Sequence, residues 1–179
     1  MKEKFNYRFI STVIIIWALD FITKIWAIDA LAAPGAANFC YGGKVVPVIG
    51  DLLNFRLVCN LGGVFGIFQG NPMIFQALTG VAIVFLLIYY IKTPEDNRFF
   101  NIAISFILGG AFGNFTDRFF RPGVVDFIDM GWGMSRWPTY NVADAFISIG
   151  AVLLAIAFFQ MEKAAKQAQE AEKAGAGNS

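Results

Sequence analysis

The 179-residue chain contains no histidine, and that absence removes several chemistries together. No Ser-His-Asp or Cys-His nucleophile pair can be built, and no zinc site with imidazole ligands. Cysteine is nearly absent as well. Cys40 and Cys59 are the only two, too few for a four-thiolate metal site or a disulfide framework, although one Cys40–Cys59 disulfide is open to them. Acid/base work must therefore fall to carboxylates, Lys, Tyr or Cys. Charge is scarce too, at 15% of residues, against 57% hydrophobic. Soluble domains average roughly 25% charged and 45–50% apolar residues. The formal net charge of +1 comes without any basic stripe, which argues against a nucleic-acid partner. The composition is that of one membrane-embedded domain.

Four stretches reach the roughly 20 residues that a helix needs to cross a bilayer. They run over about 9–28, 73–91, 99–116 and 141–160. Between the first two, residues 45–68 are apolar and β-prone. Leu53, Phe55, Leu57 and Cys59 alternate with Asn54, Arg56 and Val58, which predicts a small sheet against the membrane surface. The segment from Asp117 to Tyr140 reads as a second outer loop, with Trp132, Trp137 and Tyr140 at headgroup level. Residues 162–179 read as a solvated tail with helical propensity, outside a single domain over 1–161.

An even number of spans puts both termini on one side. Lys2, Lys4, Arg8, Lys92, Arg98, Lys163, Lys166 and Lys173 lie on that side, against Lys44, Arg56, Arg118, Arg121 and Arg136 on the other. This bias predicts cytoplasmic termini. Asp20 then falls about 18 Å along its helix from Arg8, in the outer half of the first span. Asn114 and Asp117 close the third span on the same side, Asp144 opens the fourth, and Asn60, Asp126 and Asp129 occupy the outer loops. Ionisable groups at membrane depth are costly and mark function by default. Here they converge on one boundary.

Each motif also has a purely structural reading. Asp20 and Lys24, spaced i, i+4 with the acid first, make a self-neutralising pair or orient another carboxylate. Gly109 and Gly113 form a Gly-x-x-x-Gly, the signature of close helix packing. Asp117 and Arg118 make an interfacial ion pair or order that crossing. Asn141 with Asp144 has the pattern of a helix N-cap with an acid at N3. Two carboxylates in a partly dry site cannot both ionise easily, so one holds a proton while the other activates water. Asp20, Asp117, Asp126, Asp129 and Asp144 all compete for that pairing.

Five blocks in order carry a resemblance. They are Asp20 with Lys24, then Asn60-Leu61-Gly62-Gly63-Val64-Phe65, then Gly109 to Asn114 with Asp117-Arg118. Val125-Asp126-Phe127 follows, and Tyr140-Asn141-Val142-Ala143-Asp144 completes the set. In these residues the chain resembles the lipoprotein signal peptidases (signal peptidase II), which are integral-membrane aspartic peptidases of bacteria. The resemblance implies a catalytic dyad of Asp126 and Asp144. It further implies that Asn60, Asn114, Arg118 and Asn141 support the dyad or hold substrate, and that Asp20, Lys24 and Asp117 keep the helices in register. Tyr140 and Phe112 depart from the commoner Phe and Leu of that family.

The implied fold is an all-α membrane bundle of four helices with a small extracytoplasmic sheet and a loop or short helix closing over the site. The implied activity is cleavage of signal peptides from diacylglyceryl-modified prolipoproteins, just before the lipidated cysteine, at the outer face of the bacterial cytoplasmic membrane. No cofactor or metal is expected, and the protein is expected to act as a monomer among membrane lipids. The rival reading is a small proton-coupled transporter that relays protons through the same acids.

Overall fold

A computed structural model describes residues 7–35, 43–62, 72–93 and 97–176. Its elements run α1 (Tyr7–Leu31), β1 (Val45–Ile49), β2 (Leu53–Asn60), α2 (Pro72–Lys92), α3 (Arg98–Phe120), β3 (Val124–Trp132), β4 (Ser135–Arg136) and α4 (Val142–Ala176). All four helices are long and apolar enough to cross a membrane. Their exposed residues are large and apolar, such as Ile14, Ile22, Val81, Phe85, Val152 and Phe159. In water such a surface would drive association, whereas against lipid it is matched.

Helix α3 is the hub and packs against each of the other three helices. Its glycines explain how. A Cβ on Gly109 would lie 2.8 Å from the Ile16 side chain of α1, and one on Gly110 would lie 2.5 Å from the Ala143 carbonyl of α4. The backbones thus approach too closely for any side chain, as small residues permit in membranes. Towards the other end, Phe9, Ile83, Tyr90, Phe100, Ile104 and Leu108 close a buried core. Asn97 caps α3 there, its side chain accepting from the Phe99 and Phe100 amides.

The four strands form one antiparallel sheet in the order β1-β2-β3-β4. This corrects two expectations. First, the sheet is not confined to 45–68, because the second outer segment supplies β3 and β4. Val124 to Phe127 are all buried, so β3 lacks the alternation that marks a half-exposed strand. Second, Asn54, which the alternation set apart from apolar Leu53, Phe55, Leu57 and Cys59, is itself buried, opposite Asp129. The β2–β3 register shifts between Phe55 and Val58, and such a bulge changes which face a residue presents. The sheet is fastened to the end of α1 by Ala27, Leu31 and Phe127, and the Trp26 ring meets Phe55 edge-on at 5.2 Å between centroids.

Helix α4 continues without a break past the apolar stretch to Ala176. Its last turns are rich in Ala, Lys, Glu and Gln, which favour helix without needing a partner. Cys59 is disulfide-bonded, while Cys40, Gly63, Val64 and Phe65 lie outside the described residues.

Candidate active site

Apart from Asp129, the polar residues singled out in the sequence meet where the sheet joins the C-terminal ends of α1 and α3 and the N-terminal end of α4. The local reasons differ by element. Helix α4 starts at Val142, so Asn141 is its N-cap and Asp144 its third residue. The Asp144 amide donates to Asn141 Oδ1 at 3.0 Å, and the Asn141 amide donates to Asp144 Oδ2 at 3.2 Å. This reciprocal capping box, at the positive end of the helix, fixes the Asp144 carboxylate and suits its charge.

Asp126 comes from β3 and is 2% exposed. Both of its oxygens are held by amides: Asn141 Nδ2 donates to Oδ1 at 2.7 Å and Asn60 Nδ2 to Oδ2 at 3.0 Å. Asn60 ends β2, and its own Oδ1 accepts from the Gly62 amide at 3.0 Å. Gly62 has φ +98°, in the region that favours glycine, and so the chain turns back onto Asn60. Asn114 of α3 serves the other acid, donating to Asp144 Oδ1 at 2.8 Å. Its Oδ1 accepts from Asn141 Nδ2 at 3.0 Å and from Lys24 Nζ at 2.9 Å. Asn141 thus touches both carboxylates. Arg118 donates to the Asn114 carbonyl at 3.1 Å, within electrostatic range of Asp144, Asp126 and Asp117.

Beneath the two acids lies a buried ion cluster. Lys24 Nζ is 2.7 Å from Asp20 Oδ2 and 2.8 Å from Asp117 Oδ2, with all three residues essentially unexposed. Asp117 also pairs with Arg121 and accepts from the Val125 amide at 3.1 Å. Asp20 accepts from the Ala143 amide at 2.9 Å. Each acid therefore ties a helix to the backbone beside one of the two carboxylates above, Asp117 beside Asp126 and Asp20 beside Asp144. The space for Asp20 is made by Gly113, where a Cβ would collide with Asp20 Oδ2. Gly113→Ala is expected to destabilise the protein by about 1–3 kcal/mol through overpacking, read as a lower midpoint in thermal unfolding in detergent.

Asp129, a competitor in the sequence, is not part of this arrangement. Arg136 Nε donates to its Oδ1 at 2.9 Å, and Arg136 also reaches Asp51 at 3.2 Å. It joins β4 to the rest of the sheet. Sequence reasoning passed over Arg121 and the amides of Val125 and Ala143. The i, i+4 spacing of Asp117 and Arg121 was a readable signal; the amide contacts arise only from tertiary packing.

The two acids differ in environment. Burial is the main cause that pushes the Asp126 pKa up to about 7, with the Asp144 charge adding to it and hydrogen bonds from Asn60 and Asn141 opposing it. Asp144 is half-buried and opens on a cavity of about 540 Å³, lined mainly by apolar and aromatic groups including Met130, Trp137, Tyr140 and Ile149. That volume lies within the usual range for ligand sites. The Tyr140 hydroxyl is turned to Met130 Sδ at 2.9 Å, away from both carboxylates' hydrogen-bond partners. A buried, proton-retaining acid bridged to a more open one is the arrangement needed for paired acid and base catalysis.

The family of the chain follows from comparison with known proteins. The family model described as signal peptidase (SPase) II matches residues 12–160. A lipoprotein signal peptidase of Treponema denticola is 40% identical over 156 residues, covering 82% of this chain and 84% of that protein. One from Clostridium novyi is 36% identical, covering 77% and 88%. Among solved structures, a bacterial membrane enzyme determined by the in meso method at 2.3 Å resolution superposes with a TM-score of 0.73 and 31% identity, over 87% of this chain and 90% of that one. The chain therefore belongs to the signal peptidase II family, as a bacterial integral-membrane peptidase.

Proposed function

We propose that this protein is an aspartic endopeptidase that removes signal peptides from diacylglyceryl-modified prolipoproteins, with Asp126 and Asp144 as its dyad. The observation that carries the reading is the pair itself: two carboxylates from different elements, joined through Asn141, one of them buried. Asp126, whose pKa is raised, holds the shared proton in the resting enzyme, and Asp144, facing the cavity, serves as the base. Asp144 takes a proton from water as its oxygen attacks the scissile carbonyl. Asp126 donates its proton to the carbonyl oxygen, giving a neutral gem-diol. Collapse of that intermediate breaks the C–N bond, with proton transfer to the leaving nitrogen, and yields a carboxyl and an amine terminus.

Asn60, Asn114 and Asn141 orient the carboxylates, Arg118 adds positive potential beside them, and Asp20, Lys24 and Asp117 hold α1, α3 and α4 in register. The apolar cavity takes substrate side chains next to the scissile bond while the acyl chains stay in lipid alongside the helices. The outer face of the cytoplasmic membrane, with both termini cytoplasmic, follows from the lysine and arginine bias. The transporter reading is less well supported, since the acids gather at one depth and do not continue across the bundle.

A cleavage assay with lipidated and unlipidated forms of one precursor tests this reading. The lipidated form is expected to be cut just before its modified cysteine and the unlipidated form to be left intact. Equal cutting of both would refute the substrate assignment.

The pH profile follows from the dyad. Activity needs one proton on the pair, so the rate should fall as pH rises through about 7, where Asp126 loses it. Asn60→Ala removes a hydrogen bond that favours the ionised form, so its residual activity should persist to higher pH. An Asn60→Ala profile superimposing on the wild-type profile would count against Asp126 as the proton holder. The same group affects stability in a fixed direction. The folded state binds this proton more tightly than the unfolded one, so the Asp126 contribution to stability declines as pH rises from the ordinary carboxylate range towards 7.

A further inference from the structure

The end of the bundle opposite the carboxylates holds a second cavity, of about 430 Å³, that the peptidase reading does not use. Arg8, Phe9 and Thr12 line it from α1, and Arg98, Asn101 and Ser105 from α3. Residues 8 and 12 share one helix face, as do 98, 101 and 105. Each face therefore presents an arginine at the mouth and smaller polar groups further in. Ser105 is 2% exposed. Both helices begin at this end, at Tyr7 and Arg98, so their positive dipole ends lie together.

The hydrogen-bond inventory of the cavity is one-sided. The Thr12 and Ser105 hydroxyls donate to the backbone carbonyls of Arg8 and Ile102 at 2.8 and 2.9 Å. Arg8 spends one donor, Nε, on the Tyr7 hydroxyl at 3.0 Å. Among the described residues, no carboxylate pairs with Arg8 or Arg98, and the Asn101 side-chain amide has no partner. Among the described residues, two guanidiniums and an amide thus line one cavity with donors to spare and no carboxylate paired to them. Positive residues that merely flank membrane spans would need no shared cavity and no buried polar floor.

This donor set fits a phosphate group, which Arg recognises through paired N–H donors. The rim indicates where the phosphate comes from. Tyr7, Ile10 and Phe99 beside the two arginines are large, apolar and exposed on helices that face lipid. We propose that this cavity binds the phosphate of an anionic phospholipid at the membrane boundary opposite the active site. Arg8 and Arg98 clasp the phosphate, Asn101 donates from below, and the acyl chains run along the Ile10 and Phe99 surfaces.

The test uses the full chain purified in a neutral detergent. Binding of dioleoylphosphatidylglycerol, of dioleoylphosphatidylcholine and of inorganic phosphate would be titrated by native mass spectrometry and by thermal unfolding. Phosphatidylglycerol should bind and raise the unfolding midpoint well beyond phosphatidylcholine, and inorganic phosphate should do neither. Arg8→Gln/Arg98→Gln should weaken phosphatidylglycerol binding about twenty-five-fold, from about fivefold per arginine. Lys163→Gln/Lys166→Gln, which removes the same charge from the far end of α4, should leave it unchanged. Asn101→Leu keeps both charges and fills the cavity, so it provides a second arm with an expected loss of about fivefold. Equal binding of the two lipids, or undiminished binding in either cavity variant, would overturn the proposal. An effect of inorganic phosphate as large as that of phosphatidylglycerol would overturn the lipid source.

Discussion

Asp126→Asn and Asp144→Asn are each expected to slow cleavage of a lipidated precursor by at least about 10³-fold while leaving the protein folded. In the proposed mechanism the two substitutions remove different roles, proton donor and water-activating base, yet the double variant should be no slower than the slower single one. Groups that act as a unit lose most of their effect when either is removed. Folding should survive because the exchange is nearly isosteric, and each carboxylate is held by more than one neighbour. Asp126 keeps an acceptor oxygen for either Asn60 or Asn141, and the N-cap of α4 retains the bond from the Asp144 amide to Asn141 Oδ1. Circular dichroism and the unfolding midpoint separate loss of catalysis from loss of structure. A folded Asp144→Asn protein that still cuts at the normal rate would remove Asp144 from the dyad. Losses that simply multiply in the double variant would mean that the two acids work independently.

The second large effect concerns stability. Lys24→Met should destabilise the protein by about 3–5 kcal/mol, as removal of one partner from a buried ion pair does. Lys24 is the shared cation of Asp20 and Asp117. After the substitution Asp117 keeps Arg121, whereas Asp20 faces α3 and α4 with only the Ala143 amide as donor. By the scaling seen in soluble proteins, the unfolding midpoint should fall by about 10 °C. Adding Asp20→Asn should restore part of the loss, because the charge left without a partner is then removed as well. A midpoint unmoved by Lys24→Met would show that the cluster contributes nothing to the register of the helices. Activity provides the second measurement. Lys24 also donates to Asn114, which donates in turn to Asp144, and so the variant should lose rate even below its unfolding temperature.

Much of this site was legible in the sequence, and the reasons are local. A 3.6-residue period placed Asp20 and Lys24 on one face, a capping pattern placed Asp144 one turn into its helix, and small residues at 109, 110 and 113 marked a close crossing. Each depends on neighbours within a few residues, where spacing alone constrains geometry. The four spans were legible for a similar reason: lipid requires every backbone group to be paired within its own helix, so length and hydropathy suffice to find them.

What the sequence could not provide was any relation between distant segments. Strand β3 was invisible as a strand because it is covered on both sides, which erases alternation. By spacing and composition alone Asp129 competed with Asp126; the resemblance favoured Asp126, and the fold places Arg136 against Asp129 and Asn60 and Asn141 against Asp126. The choice between two acids three residues apart is made by partners up to 66 residues away. By itself the sequence determined that this chain, without histidine and with little charge, lies in a membrane and leaves acid/base chemistry to carboxylates, Lys, Tyr or Cys. Only the tertiary structure decided which carboxylates meet, because proximity across helices and strands depends on packing that no local spacing encodes.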